Sequence, residues 1–253
     1  MTVHFIGAGP GAADLLTVRA VRLLNTSHVC LFAGTYVTAE VLAHCPAGAT
    51  LVDTQRLNLD QITDELVRAH QAGHDVARLC SGDPSLYSAL SEQTARLDSA
   101  GVPWDVTPGV PAYAAAAAIV GRELTVPELA QTVILTRAQA RSTAMPDSET
   151  LTTLAATRAT MVLHLAITRM REIAVQLVPF YGLDCPVAVV HRATQADELV
   201  LQGTVETIAD QVEAAGLRQA AVIMVGPALR AATPSSRAAE SHLYAIDRHR
   251  DGY

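Results

Sequence analysis

The stretch "VHFIGAGPGAADLL", Val3–Leu16, decides how the first half of the chain folds. Its apolar run Val3–Gly7 predicts a buried strand, and a helix is predicted over Asp14–Asn25 with Asp14 as its N-cap. The turn Gly7–Ala12 fits the G-x-G-x-x-G/A pattern with which dinucleotide-binding folds hold pyrophosphate. The same glycines also fit a purely structural strand-to-helix turn, or a loop that holds some other ligand.

Two features of the sequence disfavour an NAD site, and with it an NAD-dependent oxidoreductase. Pro10 lacks the backbone N–H that would donate to pyrophosphate within the turn. The second predicted strand ends in "CLFAGTY", Cys30–Tyr36, which has no Asp or Glu to bind the ribose hydroxyls. The structural turn and the loop for another ligand both remain open at this point.

Strand-like runs alternate with helical segments through the first half of the chain. The further strands are predicted at Val29–Phe32, Thr50–Asp53, Asp75–Leu79 and Val102–Thr107. The further helices are predicted over residues 35–44, 58–72, 84–100 and 110–121. Asn58 and Gln61 have the spacing of a capping box at the start of the second of these helices. The repeated order predicts an α/β domain with a mostly parallel sheet and helices on both faces.

The segment "GRELTVPELAQ", Gly121–Gln131, interrupts this alternation. It predicts two α/β domains, residues 1–122 and 132–253, joined by a linker at 123–131. In the second domain, strands are predicted at Thr132–Thr136, Thr160–Leu165, Val187–His191, Glu198–Gln202 and Ala220–Val225. The fourth of these follows a connection too short for a parallel crossover, so the second sheet is predicted to be mixed.

Composition excludes several classes of protein. Of the 253 residues, 50% are hydrophobic and 17% charged, yet no apolar run reaches the roughly 18 residues of a membrane span. The N-terminus lacks the basic region of a signal peptide, so a cytoplasmic protein without a membrane partner is expected. The formal net charge of −7 argues against a nucleic-acid partner. Four scattered cysteines without C-x-x-C spacing favour buried thiols, and no metal site is expected.

Two further loops rich in glycine and proline follow predicted strands. They are "RLCSGDPSLYSAL", Arg78–Leu90, and "TPGVPAYAAAAA", Thr107–Ala118. Taken alone, the first fits a capped helix in which Asp83 accepts from the helix that Pro84 starts, and the second fits a turn before a packed helix. Together with the first loop, they would line one edge of one sheet, where open α/β sheets bind their ligands.

"FIGAGPGAADLLTVRA", "RLCSGDPSLYSAL" and "TPGVPAYAAAAA", in this order and spacing, resemble the tetrapyrrole methyltransferase family of cobalamin and sirohaem biosynthesis. Within that family, "VCLFAGTYVTAEVLAHCP", "ATLVDTQRLNLDQI" and "GRELTVPELAQTVILTRAQARSTAMP" are similar to the branch that methylates C-11 of the corrin precursor. The resemblance implies two α/β domains with S-adenosylmethionine (SAM) in a cleft between them, S-adenosylhomocysteine as a product, and a homodimer. A sibling enzyme acting at another ring carbon, or on a cobalt-containing precursor, is the nearest alternative; a non-enzymatic nucleotide sensor is disfavoured.

The resemblance also implies a set of cofactor contacts. Carried over by motif, they are Pro10, Ser81, Gly82, Asp83, Leu86, Tyr87, Pro111, Ala112, Leu165 and Ala193. A tetrapyrrole of this pathway carries several carboxylates, and we hypothesise that Arg137 and Arg141 bind them. His164 fits a buried strand histidine better than a base, and the sequence names no acceptor for the proton that the product must lose.

Overall fold

A computed structural model describes residues 1–138 and 144–230 of the chain. They form two compact units. The first comprises Met1–Ala115 together with Arg192–Glu198, and the second comprises Ala116–His191 and the chain from Leu199. Within the described ranges, every helix is too short or too polar to cross a membrane. The domain limits expected from the sequence, with a linker at 123–131, stay a prediction.

The first unit is built on a five-stranded parallel sheet. Its elements are β1 (Val3–Gly7), α1 (Val18–Thr26), β2 (Val29–Phe32), α2 (Ala39–Leu42), β3 (Thr50–Asp53), α3 (Leu59–Gln71), β4 (Val76–Cys80), α4 (Leu90–Ser99) and β5 (Trp104–Thr107). The strand order is β3-β2-β4-β1-β5, and every pairing is parallel. The predicted parallel sheet is confirmed. The order places β1 between β4 and β5, the two strands that precede the other glycine- and proline-rich loops.

Helices cover both faces of this sheet, as the alternating pattern predicts. On one face, Phe5 of β1 packs with Leu66 of α3 and Leu97 of α4. On the other face, Ile6 of β1 packs with Leu24 of α1. Phe5 and Ile6 therefore point into two separate apolar clusters, which explains why these successive residues of the strand are both apolar.

The two predicted helix caps of this unit have different outcomes. Asn58 and Gln61 form the expected capping box at α3, with reciprocal hydrogen bonds of 2.9 and 3.0 Å. Asp14 is not an N-cap, and that prediction is wrong. A single 3-10 turn at Ala13–Leu15 precedes α1, and Thr17 caps the helix instead, its hydroxyl accepting from the Ala20 N–H at 3.1 Å. The extra turn moves the helix start by four residues.

The second unit contains the mixed sheet that the sequence predicts. Its elements are α5 (Ala112–Ile119, which begins in the first unit), β6 (Val133–Arg137), α6 (Leu151–Ala155), β7 (Thr160–His164), α7 (Met170–Tyr181), β8 (Pro186–His191), β9 (Leu199–Thr204), α8 (Ile208–Ala214) and β10 (Ala221–Val225). The strand order is β6-β7-β10-β8-β9, in which only β6 and β7 pair in parallel. The short helix α6 has no counterpart in the sequence prediction, because its threonine-rich sequence carries little helical signal.

The core of the second unit lies between this sheet and two amphipathic helices. Ile173 and Leu177 of α7 and Ile208 of α8 pack on Leu163 of β7 and Ile223 of β10. The cysteines of the chain are free thiols; Cys30, Cys80 and Cys185 are buried and Cys45 is half-buried.

Candidate active site

The loops that follow β1, β4 and β5 meet at the carboxyl edge of the first sheet. The Gly82 N–H donates to the Gly9 carbonyl at 2.8 Å, and the Gly9 N–H donates to the Gly82 carbonyl at 3.1 Å. The Ala8 N–H donates to the Cys80 carbonyl at 2.8 Å. The first two loops are therefore joined like strands beyond the end of the sheet, and the prediction that these loops line one edge is confirmed.

Two glycines allow the loops to approach this closely. A Cβ atom added to Gly7 would lie 2.8 Å from the Gly82 carbonyl oxygen and would overlap the backbone nitrogen of Gly109. A Cβ atom added to Gly109 would overlap the same Gly82 oxygen and lie 2.8 Å from the Gly7 Cα. Neither position has room for a side chain. Gly7 is therefore required by packing between the loops, whatever ligand they hold.

Asp83 cross-links the second and third loops. Its Oδ2 accepts from the Gly109 N–H at 2.8 Å, and its Oδ1 accepts from the Ser85 N–H at 2.8 Å and the Ser85 hydroxyl at 2.5 Å. Burial raises the pKa of Asp83, but the bonds from Ser85 and Gly109 outweigh it and hold the pKa below its ordinary value. Asp83 is therefore a carboxylate at neutral pH. The sequence predicted that Asp83 would accept from a helix started by Pro84, and that prediction is wrong.

The helix predicted from Pro84 begins six residues later, at Leu90. Tyr87 and Ala89 have φ angles of 54° and 52°, in the left-handed region, which interrupts a right-handed helix. Tyr87 is 46% exposed, Leu86 is half-buried and Ser81 is exposed. The loop thus presents a large aromatic side chain to solvent from a backbone conformation that bulky residues rarely adopt.

The third loop places Pro111 and Ala112 beside Gly82. A Cβ atom on Gly82 would lie 3.3 Å from the Ala112 nitrogen and 3.5 Å from the Pro111 Cα. Gly82 itself has a φ of 65°, which also favours glycine. Two predicted contact residues of the third loop, Pro111 and Ala112, therefore lie against Gly82 of the second loop.

The predicted contact Ala193 lies in Arg192–Glu198, which belongs to the first unit. Next to it, the Thr194 hydroxyl accepts from the Ala12 N–H at 3.0 Å, and the Gln195 side-chain amide donates to the Pro10 carbonyl at 3.3 Å. Sequence reasoning missed both of these residues. The only trace of this contact in the sequence is the glycine at position 11, since a Cβ atom there would overlap the Gln195 side chain.

These contacts engage five of the backbone donors of the three loops. The N–H groups of Ala8, Gly9, Ala12, Gly82 and Gly109 all donate to groups of the protein. A pyrophosphate-binding turn must instead direct its N–H groups toward the ligand. The Asp83 carboxylate adds negative charge close to this edge. The loops are therefore better suited to a cationic ligand, such as a sulfonium, than to a dinucleotide.

An acidic residue lies beside the end of the second strand, but its carboxylate is engaged in hydrogen bonds within the protein and is not available to a ribose. Asp53, at the end of β3, is paired in register with Phe32 of β2. Its Oδ1 accepts from the N–H groups of Gly34 and Gln55 at 3.1 and 3.0 Å. Asp53 thus ties together the loops after β2 and β3, which is a structural role.

The same edge offers no activated nucleophile among its cysteines. Cys80 directly precedes Ser81 and is buried, and this burial raises its pKa to about 11. The thiol is therefore protonated at neutral pH and cannot act as a thiolate nucleophile. This chemistry suits direct transfer between two bound substrates more than a covalent enzyme intermediate.

The remaining predicted residues belong to the second unit. Leu165 follows β7 with a φ of 52° and is 58% exposed, so it is a further non-glycine residue in a left-handed conformation. Arg137 is the last residue of β6, which ends one residue later than predicted. It is in register with His164 of β7. Burial lowers the pKa of His164, which favours the neutral imidazole. Arg141 lies outside the described residues.

Comparison with known proteins adds an independent set of observations. The sequence matches the family described as Tetrapyrrole (Corrin/Porphyrin) Methylases over residues 2–209. It is 55% identical to the precorrin-4 C(11)-methyltransferase of Rhodococcus erythropolis over 250 residues, which are 99% of each chain.

Two solved structures are similar over most of the chain. One is a cobalt precorrin-4 methyltransferase, a cobalamin biosynthetic enzyme, with 37% identity and a TM-score of 0.87 over 91% of this chain and 96% of that one. The other is the uroporphyrin-III C-methyl transferase of Thermus thermophilus in complex with S-adenyl homocysteine. It has 29% identity and a TM-score of 0.77, over 91% of this chain and 99% of that one.

Proposed function

The chain belongs to the family of tetrapyrrole (corrin/porphyrin) methylases, and we propose that it methylates precorrin-4 at C-11, a step of cobalamin biosynthesis. It is an enzyme, a C-methyltransferase, and its product is the C-11-methylated precorrin-5. Identity of 55% to a precorrin-4 enzyme, against 37% to a cobalt precorrin-4 enzyme, favours the metal-free substrate over the cobalt-containing one.

The methyl donor in this proposal is SAM, which supplies an electrophilic methyl group on a positively charged sulfur. The single observation that carries this choice is the loop edge described above, where five backbone N–H groups donate to the protein itself and Asp83 is ionised. In the first unit, the residues proposed to contact SAM are Pro10, Ser81, Gly82, Asp83, Leu86, Tyr87, Pro111, Ala112 and Ala193. In the second unit, the proposed contact is Leu165.

Alignment is the main task of these residues. Methyl transfer from a sulfonium is an in-line displacement, in which the ring carbon bonds to the methyl as the sulfur–carbon bond breaks. Holding the reacting atoms about 3–3.5 Å apart is worth about 7–11 kcal/mol. The glycine contacts and the bonds of Asp83 give the loops the rigidity that such alignment requires. The electron-rich ring activates its own carbon, so no strong base is needed before transfer.

The proposal also assigns one substrate-binding role and excludes one proton acceptor. Arg137, with Arg141, binds carboxylates of the tetrapyrrole through planar guanidinium groups. Asp83 is not proposed as the acceptor of the proton that the methylated product must lose, because both of its oxygens already accept hydrogen bonds and its pKa is lowered. By resemblance to the family, the enzyme is proposed to be a cytoplasmic homodimer. Sedimentation equilibrium would test the dimer.

The deciding experiment combines product analysis with binding. The enzyme is incubated with precorrin-4 and SAM labelled with 13C at the methyl group, and the labelled position is found by NMR. Label at C-11 is expected, and label at another carbon would refute the branch while keeping the family. Calorimetry with SAM, S-adenosylhomocysteine and NAD tests the cofactor: binding of NAD without binding of SAM would overturn the proposal.

A further inference from the structure

A cation is buried beneath the second loop. Arg78, in the middle of β4, is only 8% exposed. Its Nε donates to the Gln93 side-chain oxygen at 2.9 Å, and its Nη1 donates to the Thr54 hydroxyl at 3.4 Å. None of the ion pairs between described residues includes Arg78. A buried guanidinium held by neutral groups is costly, so its retention calls for an explanation.

Gln93, the side-chain partner of Arg78, also binds the loop through its amide nitrogen. Gln93, in α4, is 1% exposed, and its Nε2 donates to the carbonyls of Ser88 at 3.0 Å and of Ala89 at 3.1 Å. A guanidinium can only donate hydrogen bonds, so the amide oxygen must face Arg78. The amide NH2 group must then face the two carbonyls. Arg78 therefore fixes which way the Gln93 amide points.

These two carbonyls belong to the strained part of the loop. Ser88 lies between Tyr87 and Ala89, which have φ angles of 54° and 52°. Left-handed backbone at non-glycine residues persists only where surrounding contacts hold it. Here the Gln93 amide binds both carbonyls, and the Ser88 hydroxyl donates to the Pro84 carbonyl.

We propose that Arg78 and Gln93 are positioning residues, which clamp the left-handed turn at Tyr87–Ala89 and so hold Tyr87 in place to receive the cofactor. The clamp acts through the loop and touches no substrate itself. It rests on the proposed function, because Tyr87 is a cofactor contact only in that context. Its prediction is that cofactor affinity depends on the two N–H donors of Gln93, apart from any effect on stability.

Gln93→Glu separates these two effects. The carboxylate keeps an acceptor for Arg78 and gives the buried cation a counter-ion, but it replaces both donors with an oxygen that repels the two carbonyls. We expect the melting temperature to stay within a few degrees of the wild type. The Kd for S-adenosylhomocysteine, measured by calorimetry, should rise at least tenfold, and KM for SAM should rise more than kcat falls. Gln71→Glu, an exposed position of α3, is the control with the same charge change.

Arg78→Gln tests the clamp from the other end. A neutral side chain removes the group that orients the Gln93 amide while relieving the burial of charge. It should likewise fold and bind S-adenosylhomocysteine at least several-fold more weakly. Ala89→Gly in the Gln93→Glu background should recover part of the lost affinity, since glycine adopts the left-handed conformation without a clamp.

The outcomes distinguish the two proposals. Wild-type affinity in both Gln93→Glu and Arg78→Gln would overturn the clamp, as would a loss of affinity that only parallels a loss of melting temperature. Failure of the unmodified enzyme to bind S-adenosylhomocysteine would instead overturn the proposed function. Recovery by Ala89→Gly would support the clamp specifically, because a change in general packing would gain nothing from the glycine.

Discussion

At the scale of single residues, the edge where the three loops meet depends on two positions without a side chain as well as on the hydrogen bonds of Asp83. Gly7 and Gly109 bring two backbones into contact. One oxygen of Asp83 accepts from Gly109 of the third loop, and the other accepts from Ser85 of its own loop. The glycines in the first loop invite comparison with a dinucleotide turn, yet the Gly9 N–H, in the middle of the pattern, donates to the protein itself.

Gly109→Ala should destabilise the enzyme by about 1–3 kcal/mol, because the new methyl overlaps the Gly82 carbonyl oxygen. Chemical denaturation measures the loss, and binding of S-adenosylhomocysteine should weaken in parallel. Gly101→Ala is the control: its φ of 66° also disfavours alanine, but nothing lies within reach of the added atom. Equal losses in the two variants would contradict the packing argument.

Asp83→Asn should lower stability by about 1–3 kcal/mol at neutral pH, since one of the N–H donors then faces an NH2 group. The folded pKa of Asp83 lies below the unfolded value of about 3.9. Its contribution is therefore complete above that value and is lost as pH falls toward the folded pKa. Urea denaturation between pH 3 and pH 7 should show the two proteins converging in stability at the acidic end. A difference that stays constant with pH would contradict this account.

At the scale of elements, local signals were read correctly where partners lie a few residues apart. The capping box of Asn58 and Gln61 is such a case. The start of α4 could not be predicted, because nothing in "SLYSAL" indicates that Tyr87 and Ala89 adopt left-handed backbone. That conformation depends on Gln93 and Arg78, which hydrogen-bond to each other across 15 positions of sequence. The cap of α1 was misplaced because a 3-10 turn precedes the helix.

Thr17→Ala should therefore cost about 1 kcal/mol of stability, through loss of the hydroxyl that accepts from Ala20. Asp14→Ala, which removes the residue that the sequence alone suggested as the cap, should change stability by less than about 0.5 kcal/mol. Thermal or urea denaturation of the two variants side by side decides between them. A larger effect at Asp14 would show that the cap is assigned to the wrong residue.

At the scale of the whole molecule, the sequence supplied the two α/β sheets, one parallel and one mixed, and the three loops that meet at one edge. It did not supply the position of Arg192–Glu198, which belongs to the first unit although it follows β8. Periodicity and turn chemistry describe neighbours along the chain, whereas Thr194 bonds to a residue 182 positions earlier. Only the family resemblance drew attention to Ala193.

Thr194→Val tests that distant contact. Valine keeps the shape of threonine but leaves the Ala12 N–H without its acceptor, which should cost about 1–3 kcal/mol and weaken binding of S-adenosylhomocysteine. Thr168→Val, at an exposed position of the second unit, is the control and should leave binding unchanged. Calorimetry and urea denaturation together measure both effects, and wild-type binding by Thr194→Val would show that the contact is dispensable.

Because Arg192–Glu198 lies far along the sequence from the rest of the first unit, it affects how that unit folds during synthesis on the ribosome. Ala115 is made long before Glu198, and at about 5–20 residues per second the interval lasts about 4–17 s. Throughout it, the first loop lacks the acceptor for Ala12 and the donor for Pro10. The nascent first unit can assemble its sheet during synthesis, but the first loop obtains these two partners only after Thr194 and Gln195 have been made.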